Sequence, residues 1–117
     1  MKWEFRDDRP IYSQLVEQIQ RRIASGAYPA GEKLPSVRDL ASEASVNPNT
    51  MQKAFAELER QGLVYSQRTS GRFITEDQEQ IRSVREGLAA EQINLFFSQM
   101  QELGYSRQDT INLIIKH

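Results

Sequence analysis

The residues best equipped for chemistry in this 117-residue chain are hydrogen-bond donors and cations. Asn47, Asn49, Thr50, Gln52 and Lys53 gather within seven positions, Ser36 and Arg38 stand just before them, and Arg68, Ser70, Gly71 and Arg72 form a later polar cluster. Asn and Gln can bond bidentately to an adenine edge and Arg or Lys to guanine, while hydroxyls and cations suit phosphate. The usual catalytic and metal-binding groups are missing. Cysteine is absent and the single histidine, His117, is terminal. A thiolate nucleophile, a disulfide scaffold and a His/Cys metal cluster are thereby excluded. No pair of carboxylates stands at a spacing that suits general acid–base work. The expectation is a binding protein and not an enzyme, with neither cofactor nor metal.

Charge is distributed unevenly. Net charge is -1, which taken alone argues against a nucleic-acid partner. An electrostatic footprint is local, however. Residues 1–75 carry 11 Lys/Arg against 9 Asp/Glu, and residues 76–117 carry 4 against 7. The front is weakly basic and the back acidic. One copy should hold DNA feebly, which predicts pairing of subunits. No run reaches the roughly 18 apolar residues of a membrane span, and the start, MKWEFRDDRP, lacks the apolar stretch of a signal peptide. A cytoplasmic location without membrane association is expected.

These donors need elements to position them. In residues 12–25, Leu15, Ile19 and Ile23 recur every fourth position, predicting an amphipathic helix with Glu17, Gln18, Arg21 and Arg22 on its polar back. Gly26 is a natural C-cap. Ser36 caps a second helix, with Asp39 completing a capping box and Val37, Leu40, Ala41 and Ala44 facing inward. Asn47 and Pro48 fit the cap and first position of a third helix, about 48–61, whose inner face is Met51, Ala54, Phe55 and Leu58. Leu63-Val64-Tyr65 and Phe73-Ile74-Thr75 read as two strands across a polar turn. Two helices joined by a short turn and followed at once by a hairpin make a winged helix-turn-helix. A helical bundle with a decorative hairpin is the other arrangement the pattern allows. Trp3 and Phe5 suggest an edge strand or an arm packed on the domain or on its partner.

A recognition helix enters the major groove by its N-terminal end while the preceding helix crosses the backbone. That places Asn47, Asn49, Thr50, Gln52 and Lys53 at base edges or phosphates, with Ser36 and Arg38 as positioning contacts. Asn47 can equally be a cap and nothing more. Arg38 is electrostatically misplaced in a first helical turn, so it wants an anion. That anion is a phosphate or guanine edge, or else Asp39 or Glu43 in a local salt bridge. Arg68 and Arg72 can neutralise phosphate or enter the minor groove beside Gly71, or be ordinary surface arginines.

Beyond residue 75 the chain predicts a long helix to about 103 and a short one opened by Ser106 and Asp109. Ile81, Val84, Leu88, Ile93, Phe96, Phe97, Met100, Leu103, Ile111 and Ile114 exceed what a two-helix hairpin can enclose. Surplus apolar surface of this kind marks an interface, here a homodimer seam. A small-molecule effector held near Phe96, Phe97 and Tyr105 is the alternative. The expected fold is mainly α with a small β-hairpin: a winged helix-turn-helix DNA-binding domain in 1–75 and a two-helix dimerisation tail in 76–117.

Residues 10–73 also resemble a known family. The run Gly31-Glu32-Lys33-Leu34-Pro35-Ser36 through Arg38 and Leu40-Ala41, then Asn47-Pro48-Asn49-Thr50 with Ala54, Leu58, Gly62 and Leu63, is similar to the GntR family of bacterial transcription regulators. The resemblance implies that Ser36, Arg38, Asn49, Thr50, Lys53 and Gly71 fall where that family contacts operator DNA. Family wings usually carry Gly-x-Gly, and here Ser70 stands in place of the first glycine or the motif is shifted. The short tail resembles the YtrA-like branch rather than members with large effector domains. That likeness implies a dimerising tail and a repressor of the kind controlling ABC-type transporter operons or envelope-stress functions; two copies, each with a recognition helix in a major groove, would suit a palindromic operator.

Overall fold

The computed structural model describes residues 2–117. An extended arm leads into α1 (Ile11–Ser25), followed by α2 (Val37–Ala44), α3 (Pro48–Arg60), β1 (Val64–Gln67), β2 (Gly71–Ile74), α4 (Gln78–Glu102) and α5 (Arg107–Lys116). Local chemistry sets most of these ends. Gly26 closes α1 in the left-handed region at φ 84°. Ser36 Oγ accepts the Asp39 N–H at 3.1 Å, and Asn47 Oδ1 accepts the Asn49 N–H at 2.7 Å. At α5 the capping box is complete, Ser106 and Asp109 bonding each other's backbone. At α2 only the serine half forms. Between α2 and α3 the backbone turns at Ser45, which adopts φ 58° without being glycine.

The hairpin pairs β1 antiparallel to β2, in the register Val64↔Ile74, Tyr65↔Phe73, Ser66↔Arg72 and Gln67↔Gly71. Its strands reach further toward the tip than the apolar runs predict, leaving only residues 68–70 for the turn. Backbone pairing, unlike side-chain burial, continues through polar positions. A third segment joins this sheet: Lys33 bridges Phe73, Leu34 N–H donates to Arg72 O at 2.8 Å, and Ile74 N–H donates to Glu32 O at 2.8 Å.

Leu15, Ile19, Leu40, Met51, Phe55, Leu58 and Leu63 are fully buried in one core, with Leu34, Val64 and Ile74 closing it from the wing. Ile81 also lies in this core, 6% exposed, with Val84 packed against it. Both positions were expected at the dimer seam; Ile81 is instead enclosed in this core, and Val84 is half-buried against it. The start of α4 is fixed further by Gln80 Nε2 donating to Gln61 O at 2.8 Å. Contacts divide the chain into two units after Arg85, beyond the boundary expected at residue 75.

Two polar residues of α1 are buried. Arg22, read as part of the polar back, is 4% exposed, and Gln14 is buried too. Both serve the arm. Gln14 exchanges bonds with the Arg6 backbone, and Gln18 does the same with Glu4. The Arg22 guanidinium lies 3.5 Å from the Trp3 ring centroid and donates to Tyr28 Oη at 3.0 Å. Trp3 Nε1 donates to Glu43 on α2 at 3.1 Å. The i, i+4, i+8 stripe Gln14–Gln18–Arg22 is thus a docking strip for an extended arm, which satisfies its backbone without a strand.

In the second unit, residues 86–117, α5 follows a turn closed by Tyr105 N–H on Met100 O at 3.1 Å. Thr110 is buried and donates to Ser106 O. Leu103 and Ile115 are 73% and 77% exposed, and Ile93, Leu95, Phe96 and Ile114 are exposed as well. Leu88, Phe97, Met100 and Ile111 are half-buried.

Candidate nucleic-acid interface

The first turns of α2 and α3 present their side chains outward because each helix buries its opposite face. On α3, Met51, Ala54, Phe55 and Leu58 take the core side. Asn49, Gln52 and Lys53 are exposed, and Thr50 is half-buried. Asn47 is exposed as well, but its carbonyl oxygen is occupied by the cap, so its amide N–H groups are what remain for a partner. Ser36 is in a similar position: its hydroxyl accepts the Asp39 N–H and keeps its own proton to donate.

Arg38 is exposed and makes no ion pair among the described residues. The local salt bridge with Asp39 or Glu43 does not form; Glu43 accepts the Trp3 indole N–H instead. An uncompensated guanidinium in the first turn of a helix is electrostatically unfavourable in the free protein. An anion placed there would relieve it.

Lys53 is less free. Its ammonium lies 4.0 Å from the Tyr12 ring centroid, a cation–π contact that holds the side chain against the start of α1. Sequence reading missed Tyr12 in this role, because the contact joins residues 41 apart with no shared periodicity.

The two wing arginines separate. Arg68 is exposed at the tip. Arg72 Nε donates to Glu59 Oε1 at 2.7 Å, its side chain is 26% exposed, and its guanidinium stands 5.3 Å from the Phe55 ring. Burial alone would raise the Glu59 carboxyl's pKa, but hydrogen bonds from Arg72 and Ser66 outweigh it and pull the group below its ordinary value. Arg72 therefore carries a neutralised charge and ties the wing to α3. The signal was present in the sequence: with Ile74 facing the core, a period of two turns Arg72 toward the helices. A stronger shift occurs at Glu57, lowered to about 2 by hydrogen bonds from Arg60 and Gln61.

Between wing and helices lies an open groove of about 830 Å³. It brings together Ser36, Arg38, Gln52, Ser70, Gly71 and Arg72 from the expected set, and adds Lys33 and Asp39. Asn47, Asn49, Thr50, Lys53 and Arg68 lie outside it. Gly71 has φ 100°, a conformation that L side chains rarely adopt.

Comparison with known proteins agrees with this fold. Residues 11–74 match the family described as bacterial regulatory proteins, gntR family. The HTH-type transcriptional regulator YhcF of Bacillus subtilis is 38% identical over 92% of this chain and 89% of its own. The HTH-type transcriptional repressor YtrA of the same organism is 43% identical over 62% of this chain and 55% of its own. A solved GntR family transcriptional regulator from Listeria monocytogenes superimposes with a TM-score of 0.85 at 40% identity, covering 97% of this chain and 99% of that one.

Proposed function

The chain belongs to the GntR family of bacterial regulatory proteins and is a DNA-binding transcription regulator, and from that premise we propose that it acts as a homodimeric repressor at a palindromic operator. In this reading each protomer sets the N-terminal end of α3 in a major groove, so that Asn49, Thr50, Gln52 and Lys53 meet base edges and phosphates. Ser36, Arg38 and Asn47 grip the backbone at the helix starts. Arg68, Ser70 and Gly71 meet the flanking groove, while Arg72 steadies the wing. The observation that carries the reading is Arg38, a cation in the first turn of a helix with no ion-pair partner among the described residues.

Pairing is supported by the second unit. Ile93, Phe96, Leu103 and Ile114 expose more apolar surface than a helix pair leaves to water. A second copy would cover it and supply the second half-site reader. Repression is supported by the name of the relative YtrA, and the resemblance to the YtrA-like branch makes operons for ABC-type transporters the first targets to test.

Selection of bound sequences from a random DNA pool tests this directly. It should return an inverted repeat whose half-sites are about one helical turn apart. Sedimentation equilibrium should find a dimer at micromolar concentration; monomer alone would remove the dimer. The double variant Arg38→Ala with Lys53→Ala should lose operator binding, and undiminished binding would remove the residue assignment. A second reading, an effector-gated regulator, is favoured by a cleft of about 460 Å³ in the second unit. Its wall includes Phe97, with the Arg107 guanidinium 4.2 Å from the ring centroid. Repeating the selection with added cell metabolites distinguishes the two readings.

A further inference from the structure

We propose that Lys33 is a positioning residue for DNA, delivering its ammonium across the wing glycine to a backbone phosphate between α2 and the wing tip. The proposal rests on the DNA-reading role given above to this groove.

Three observations place Lys33 there. First, residues 32–34 form a third rung of the wing, bonded to β2 through Leu34, Glu32 and the Lys33–Phe73 bridge. Leu34 is 4% exposed in the core, so the alternation of an extended chain turns Lys33 to the opposite, open face. Second, a Cβ added at Gly71 would lie 3.0 Å from Lys33 Cε and 3.8 Å from its Nζ. The lysine stem thus occupies the space that a side chain at position 71 would fill. A glycine there serves both its φ of 100° and the passage of this stem. Third, the groove's charges are unequal in availability. Arg72 is engaged by Glu59, whereas Lys33 and Arg38 have no ion pair among the described residues. The one acid in the lining is Asp39.

A lysine held in this way differs from an ordinary surface lysine. Its stem rests along the wing backbone, so less conformational freedom remains to be lost when the ammonium meets an anion. The neighbouring donors, Ser36 Oγ–H and the Arg38 guanidinium, belong to the same groove wall. Together they form a donor row suited to a sugar-phosphate strand, which positions the protein without reading sequence.

The test compares the wild-type protein with Lys33→Met and Lys33→Arg on the best sequence returned by the random-pool selection, across a range of salt concentrations. Lys33→Met keeps the apolar stem and removes only the charge, so the fold should hold, and thermal unfolding monitors this. Loss of one phosphate contact per protomer should lower the slope of log affinity against log salt by about 0.9, or roughly 1.8 for a dimer. Affinity at moderate salt should fall roughly tenfold, with base preferences unchanged. Lys33→Arg should restore the slope. An unchanged slope in Lys33→Met overturns the proposal, and so does a changed preference at a single base position, which would make Lys33 a base reader. A wild-type protein that selects no DNA at all would remove the DNA-reading role itself, whereas wild-type binding with an unchanged Lys33→Met slope removes only this inference.

Discussion

The two units of this chain treat their apolar residues in opposite ways. In the first, every large core side chain from Leu15 to Ile81 is enclosed, and even the buried Gln14 and Arg22 have partners. In the second, helices of similar regularity leave Leu103, Ile115 and Ile93 bare. Helix formation is a local property, whereas closing a core needs enough elements to surround it. The first unit has three helices, the start of a fourth, a hairpin and an arm to do so. The second has the end of one helix and one short one.

The contrast can be broken from the closed side first. Phe55→Ala removes a fully buried ring at the centre of the first core and should cost about 3–5 kcal/mol, enough to unfold a marginal domain. Chemical denaturation measures this. On the open side, Leu103→Glu combined with Ile114→Glu should leave the first unit's stability unchanged and abolish pairing. Operator affinity should then fall by about 100-fold or more, because the second half-site is no longer delivered with the first. Sedimentation and DNA binding report the two effects separately. If the variants stay dimeric, the exposed face is not the seam.

Smaller changes sharpen the comparison within the closed unit. Ser45→Gly relieves the left-handed backbone in the turn between α2 and α3 and should raise stability by about 1 kcal/mol, read as a rise of a few degrees in Tm. Glu59→Gln breaks the wing clamp to Arg72 and should cost about 0.5 kcal/mol, since the pair is partly exposed. The same clamp gives a pH dependence of known sign. The folded carboxyl titrates below its ordinary 4.5, so its contribution is full above that value and is lost as pH falls through the lowered one. Acid titration of wild type against Glu59→Gln should show the difference starting to shrink below pH 4.5.

The caps at the helix starts are legible in the amino-acid order alone. Ser36, Asn47 and Ser106 are readable as caps, because a cap and its helix lie within four residues of each other. The surplus of apolar residues after position 86 is equally visible from counting. Other features are not. Arg22 looks like a solvent-facing charge on α1, and nothing in its neighbourhood announces that Trp3 and Tyr28 will enclose it. Ile81 looks like a member of the seam because it continues the same helical track as Leu88, yet it closes the first core.

Amino-acid order alone thus specifies the set of helices, the helix-turn-helix spacing and the identity of the polar groups at each helix start. All of these depend on propensity, capping and periodicity over a few residues. Tertiary structure alone decided which of those groups are free. It left Arg38 without an ion pair among the described residues, laid Lys53 on Tyr12, committed Arg72 to Glu59, and carried Lys33 to the wing glycine. Each outcome joins residues distant in the chain, and a cation's availability depends on the partners the fold brings to it.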